Sequence, residues 1–241
     1  LQHHVPRPVP AAGVDHAVTS KQRVAVMVVG LDGLPALREA VGRAAADQLL
    51  DAVTHRLQWL LGGDDLLCRL SGDELGVLIH LRSLSTHAIA ARWMAALGRP
   101  FTVAGRPMTA RASIGVVPAV AGEVVDHHVL LQRADIALGR ARAQLTAWAH
   151  FDPADERDVQ DRYELSLALP DALAGGRVDV VFQPIVDVTT GRPRSAEALL
   201  RWTHPVHGQI PPPEVVDAAR GARLQRELHR HVIRSACDLA A

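Results

Sequence analysis

Apolar residues fall in short β-branched runs and in longer stretches of helical spacing, and the alternation between the two predicts the elements. Residues 23–31 form a β-branched apolar run of the kind a strand buried on both faces shows. From 34 to 61 the pattern turns helical, with apolar residues at Leu37, Val41, Ala45, Leu49, Val53, Leu57 and Leu60 and a break expected at Gly42. Gly62-Gly63-Asp64-Asp65 reads as a turn. Residues 66–70 and 75–79 then flank Ser71-Gly72-Asp73-Glu74, the arrangement of a tight β-hairpin. Residues 85–97 and 129–148 read as helices. Between them, 101–103 and 108–117 are expected to pair as a second hairpin turned at Ala104-Gly105-Arg106-Pro107, with His150-Phe151 closing the sheet. Helices interleaved with antiparallel hairpins predict an α+β fold rather than a doubly wound parallel sheet.

The pattern changes near residue 152. Residues 152–161 are strongly charged and read as a connector, 163–173 as a helix ended by Gly175-Gly176, and 178–186 and 195–202 as strands. Pro211-Pro212-Pro213 opens a last helical region. The expected division is a Pro-rich linker at 1–21, a first domain at 22–152 and the opening of a second at 153–241.

Composition narrows the function classes. A hydrophobic share of 48% and a charged share of 22% describe a globular chain, not a disordered one. Acids and bases balance at 26 each, so no overall field draws the protein to nucleic acid. Lys21 is the sole lysine, and the arginine excess runs along the whole chain, as a GC-rich genome would produce. Cys68 and Cys237 have no partner motif, which argues against a disulfide framework or zinc site and fits a cytoplasmic location. His3 and His4 lie in the Pro-rich tail and read as linker. The longest apolar runs are too short to span a bilayer, and the N-terminus lacks the apolar core of a signal peptide. It also lacks a starting methionine, so a longer parent protein, able to carry a membrane tether of its own, is expected.

Candidate chemistry begins at the hairpin tip. Asp73 and Glu74 sit there, and Asp32 lies just past the end of the first strand. If those strands are neighbours the carboxylates converge, and such oxygen clusters hold Mg²⁺ and, through it, phosphates. Spacing alone describes a solvated acidic tip equally well. Arg69-Leu70-Ser71-Gly72-Asp73-Glu74-Leu75 is, however, similar to the hairpin of the GGDEF family, the diguanylate cyclases, with Ser for the first Gly and Leu for the Phe. Val29-Gly30-Leu31-Asp32, Gly42 with Asp47, Ala112-Ser113-Ile114-Gly115-Val116 and Ala134-Asp135-Ile136-Ala137-Leu138 resemble further family segments in the right order.

That family joins two GTP molecules into cyclic di-GMP with the help of two divalent ions. The resemblance implies Mg²⁺ (or Mn²⁺) ligands at Asp73, Glu74 and the Leu31 carbonyl, and nucleotide contacts at Asp47 and Arg142. It also exposes losses. The strand-end aspartate is Gly30, the guanine-binding Asn is Arg38, and Thr146 stands for a phosphate-binding arginine. Of the product-inhibition motif only Asp65 remains, and the family's lead-in helix has no counterpart before Arg23. Metal binding is therefore expected to be weak or absent, and the fold to have outlived its chemistry. Asp32 is the one nearby carboxylate able to replace that of Gly30, and its side chain is expected on the other face.

Glu197 and Arg201 share one face of a strand by the period of two, which by itself describes an ion pair. With Phe182-Gln183-Pro184-Ile185-Val186-Asp187, Glu197-Ala198-Leu199-Leu200-Arg201-Trp202, His204-Pro205 and Gly208-Gln209-Ile210-Pro211-Pro212, they resemble the start of the EAL family, cyclic di-GMP phosphodiesterases on a TIM-like barrel. The resemblance makes Glu197 a catalytic metal ligand and places Gln183 and Arg201 against the nucleotide. A barrel of this kind takes around 250 residues, whereas about ninety come after the expected boundary. An incomplete barrel, inactive by itself, is implied. The two resemblances together imply a lapsed GGDEF domain that senses GTP and regulates an EAL phosphodiesterase. GTP and cyclic di-GMP would be its ligands and a homodimer its assembly. An active diguanylate cyclase and a non-enzymatic dimerisation or docking module are the rivals.

Overall fold

The computed structural model describes residues 23–82, 84–119 and 126–240; the expected linker, with His3 and His4, lies outside them. The chain divides into two compact units, one ending at Glu156 and the other starting at Arg157.

The first unit is built on β1 (Val24–Asp32), which is buried from Val24 to Leu31. Helices α1 (Leu34–Val41) and α2 (Arg43–Gln58) come next, separated by Gly42 at φ 105°. That backbone conformation favours glycine. The hairpin of β2 (Leu66–Ser71) and β3 (Glu74–His80) is next in the chain, then α3 (Thr86–Leu97), capped by Ser85 through the Ala88 amide. Short strands β4 (Phe101–Val103) and β5 (Arg106–Met108) precede β6 (Arg111–Ala119), α4 (His127–Ala143) and β7 (Trp148–His150). The main sheet has the order β2-β3-β1-β6-β7, antiparallel except for the β6–β7 pair.

The central place of β1 explains why it is apolar throughout. Ala25, Met27, Val29 and Leu31 pack into a core with Leu49, Leu50 and Val53 of α2 and Ile89 and Trp93 of α3. Val24, Val26 and Val28 face the opposite layer, against Leu130, Ala134 and Leu138 of α4. The period of two thus sends alternate side chains to two cores. Gly30 and Asp32 continue the α4-facing series. Gly115 of β6 faces α4 as well, and a Cβ there would overlap the Ala134 carbonyl oxygen. Its bare backbone is what lets the helix lie this close.

Three element boundaries differ from the sequence expectation. The second hairpin closes between β4 and β5 instead of with β6, because Ala104 and Gly105 both take positive φ (49° and 75°) and form a two-residue turn. β6 joins the main sheet. Helix α4 stops at Ala143, where Leu145 turns left-handed at φ 55°, and the chain re-enters the sheet at Trp148 opposite Ile114. The charged connector is instead the start of α5 (Pro153–Ala174), whose Asp155 and Glu156 favour the positive helix N-terminus.

The second unit carries the rest of α5 and an antiparallel sheet of β8 (Val178–Val186), β9 (Pro193–His204) and β10 (Gly208–Ile210). It ends in α6 (Pro212–Gly221) and α7 (Gln225–Ala240). Leu165, Leu169, Val178, Trp202, Ile210, Val215 and Leu228 form its core. Among the described residues no barrel closes, and no helix is long and apolar enough to cross a membrane.

Candidate functional site

The β2–β3 hairpin delivers its tip to the end of β1. Gly30 is the register partner of Glu74 on one side and of Ser113 on the other, and the Leu31 amide donates to the Asp73 carbonyl at 3.0 Å. Asp73 and Glu74 therefore lie beside Asp32, and α4 brings Arg142 to them from its C-terminal turn.

The three guanidinium nitrogens of Arg142 address three carboxylates. Nε donates to Asp32 Oδ1 at 3.0 Å and Nη1 to Glu74 Oε1 at 3.1 Å, while Nη2 stands 3.6 Å from Asp73 Oδ2. The Ser113 hydroxyl donates to Asp32 Oδ2 at 2.8 Å and the Ser71 hydroxyl to Glu74 Oε2 at 3.3 Å. The Arg142 side chain is 34% exposed. Burial disfavours its charge, but the hydrogen bonds and charges of Asp32 and Glu74 outweigh that and raise its pKa. Nearby Asp135 has its carboxyl pushed up, by desolvation first and then by the Glu74 charge, with Arg142 opposing.

The expectation that Asp32 would turn to the other face is corrected here. Residues 30 and 32 are two apart on a strand and so share a face, the one covered by α4. Ser113 has no role in the sequence expectation, although its register with Gly30 puts it at the same strand end. Leu31, Asp32, Asp73, Met94, Arg142 and Thr146 are among the residues that line an open depression of about 930 Å³. Asp47 is half-buried on α2 and is not part of that lining. Thr146 turns its hydroxyl back to the Ala141 carbonyl at 3.4 Å. Asp65 staples the turn before the hairpin, accepting from the Gly62 and His80 amides at 2.7 and 2.8 Å.

Do these residues fit a pair of divalent ions? A Mg²⁺ ion needs near-octahedral oxygen coordination at about 2.0–2.1 Å. Both oxygens of Asp32 and both of Glu74 already accept hydrogen bonds. Gly30 supplies no carboxylate, and a Cβ there would overlap the Arg142 guanidinium. As arranged, the site does not fit the metal.

In the second unit Gln183 is the register partner of Glu197, and Asp179 that of Arg201, so all four share one sheet face. Glu197 and Gln183 are exposed. Arg201 donates to the Leu200 carbonyl at 2.8 Å, and the described residues show no ion pair between it and Glu197. Glu197 and Asp179 are the carboxylates among these four, but they stand four residues apart along the strands, too far from each other to form one two-metal centre.

Comparison with known proteins divides the chain in the same way. The sequence matches the family described as "Diguanylate cyclase, GGDEF domain" over residues 11–147 and the "EAL domain" over 166–241. An uncharacterised protein, y4lL of Sinorhizobium fredii, is 34% identical over 94% of this chain and 27% of its own length. The bifunctional diguanylate cyclase/cyclic di-GMP phosphodiesterase MucR of Pseudomonas aeruginosa is 29% identical over 93% of the chain and 33% of its own length. The chain thus spans a third or less of these two curated relatives. Among solved structures, the GGDEF domain of TpbB (YfiN) from P. aeruginosa aligns with TM-score 0.54 and 26% identity, covering 62% of this chain and 89% of that one.

Proposed function

We propose, from the premise that this chain belongs to the GGDEF family and leads into an EAL segment, that it serves cyclic di-GMP signalling through a GGDEF domain that no longer makes the dinucleotide. The observation that carries this reading is the occupied acid cluster: Arg142 lies among Asp32, Asp73 and Glu74 while Gly30 offers no ligand. GGDEF and EAL domains are in general dependent on divalent metals, and neither candidate site here offers enough free carboxylate oxygens to hold two. The domain keeps Asp47 and the open depression beside Arg142, and these support a second role as a GTP-sensing regulatory module of an EAL phosphodiesterase in the whole protein. A cytoplasmic location, where GTP is found, and a homodimer belong to the same reading.

Two measurements on the chain test it. Incubation with GTP and Mg²⁺, then chromatography, is expected to yield no cyclic di-GMP; product would restore the active-cyclase alternative. Isothermal titration with GTP and Mg²⁺ is expected to show binding. An absence of heat at millimolar ligand would remove the sensor role and leave a docking module.

A further inference from the structure

Every nitrogen of the Arg142 guanidinium faces a different acid: Nε Asp32, Nη1 Glu74 and Nη2 Asp73. We propose that Arg142 is a resident counter-ion that takes the place of a divalent cation, holding the end of β1 to the hairpin tip without metal and excluding Mg²⁺ and Mn²⁺ from the cluster. The proposal deepens the lapsed-cyclase reading and rests on its placement of the site, but on no regulatory role.

Three observations converge on it. A planar fork with donors in divergent directions can serve three carboxylates at once, which the single ammonium point of a lysine does less well. Gly30 leaves open the volume that the guanidinium fills, so loss of the strand-end aspartate both removes a ligand and makes room for the arginine. The remaining oxygens of Asp32 and Glu74 are turned to the Ser113 and Ser71 hydroxyls. An incoming dication would have to strip these bonds and stand beside a fixed positive charge.

Mn²⁺ is the probe, monitored by the electron paramagnetic resonance signal of the free ion in titrations of the full chain. Wild type and Asp73→Asn are expected to take up Mn²⁺ equally, since surface acids alone bind it. Arg142→Gln is expected to gain one further ion about tenfold tighter or more, lost again when Asp73→Asn is added. If Arg142→Gln does not fold, Arg142→Lys takes its place and is expected to show a smaller gain. The unfolding temperature of wild type is expected to be the same in EDTA and in Mn²⁺.

Uptake by wild type that Asp73→Asn abolishes would overturn the proposal. So would a folded Arg142→Gln with no gain, or a wild-type unfolding temperature raised by Mn²⁺ and not raised in Asp73→Asn. The parent reading fails separately: wild-type Mn²⁺ uptake that depends on Asp73, without cyclic di-GMP formation, sinks the counter-ion and leaves the lapsed cyclase, whereas product formation sinks both.

Discussion

The Arg142 guanidinium occupies the volume into which a side chain at Gly30 would project. Two residues more than a hundred positions apart are thereby locked to each other's identity. Gly30→Ala should force the arginine off at least one of its carboxylates and cost about 1–3 kcal/mol in urea denaturation. In an Arg142→Met background, where the methionine can bend away, the same change should cost much less. Equal costs in both backgrounds, measured as a double-mutant cycle, would mean the two positions do not interact.

Gly115 makes a harder demand. The obstacle to a Cβ there is the Ala134 backbone carbonyl, not the flexible end of a side chain, so α4 itself must move off the sheet. Gly115→Ala should destabilise by about 3 kcal/mol. A loss under half of that would show that α4 sits less tightly on β6 than the structure has it.

These two glycines also mark what the sequence could and could not reveal. The run from Val24 to Leu31 announced a central strand, because a segment covered on both faces has no room for a polar residue. The hairpin at Ser71-Gly72-Asp73-Glu74 was legible from its flanking apolar runs. Where elements compete for the same residues, local pattern failed. Met108 and Val117 both look strand-like, and only the left-handed pair Ala104-Gly105 decides that β5, not β6, returns to β4. Charge at Asp155 and Glu156 looked like a connector, although acids at a helix start are stabilising there. At the site, that Gly30 brings no carboxylate of its own could be read directly. That Arg142 fills the gap could not, since it depends on α4 meeting the end of β1 through Gly115. The face of Asp32 was within reach by simple counting of two.

Arg140 ties the end of α4 to β7 and to the start of α5. Its Nη1 donates to both oxygens of Asp155, at 3.1 and 2.9 Å, and its Nη2 to the His150 carbonyl at 2.8 Å. Arg140→Ala leaves a largely buried carboxylate without its cation and should cost about 2 kcal/mol. Asp155→Ala should cost a similar amount. The double variant should fall short of the sum by about 1 kcal/mol, as expected for one shared interaction. Additive losses would assign the effects to packing.

His150 gives the first unit a pH dependence whose sign can be worked out. Its imidazole hydrogen-bonds with the Thr86 hydroxyl at 2.8 Å. Burial chiefly, and then the charges of His87 and Arg140, push its pKa below the ordinary 6.5. The unfolded chain therefore takes up the proton more readily than the folded one. Stability from this group is complete above the ordinary value, falls as the pH drops through 6.5 toward the lowered folded pKa, and loses nothing more beneath it. His150→Gln keeps a polar partner for Thr86 and removes the titration. The stability of wild type minus that of the variant, measured in urea at steps from about pH 7.5 to about pH 5, should accordingly decline on acidification. A flat difference would mean that His150 titrates alike in the two states. A rising one would mean that the imidazolium is held by an acid, and that neither His87 nor Arg140 governs its charge.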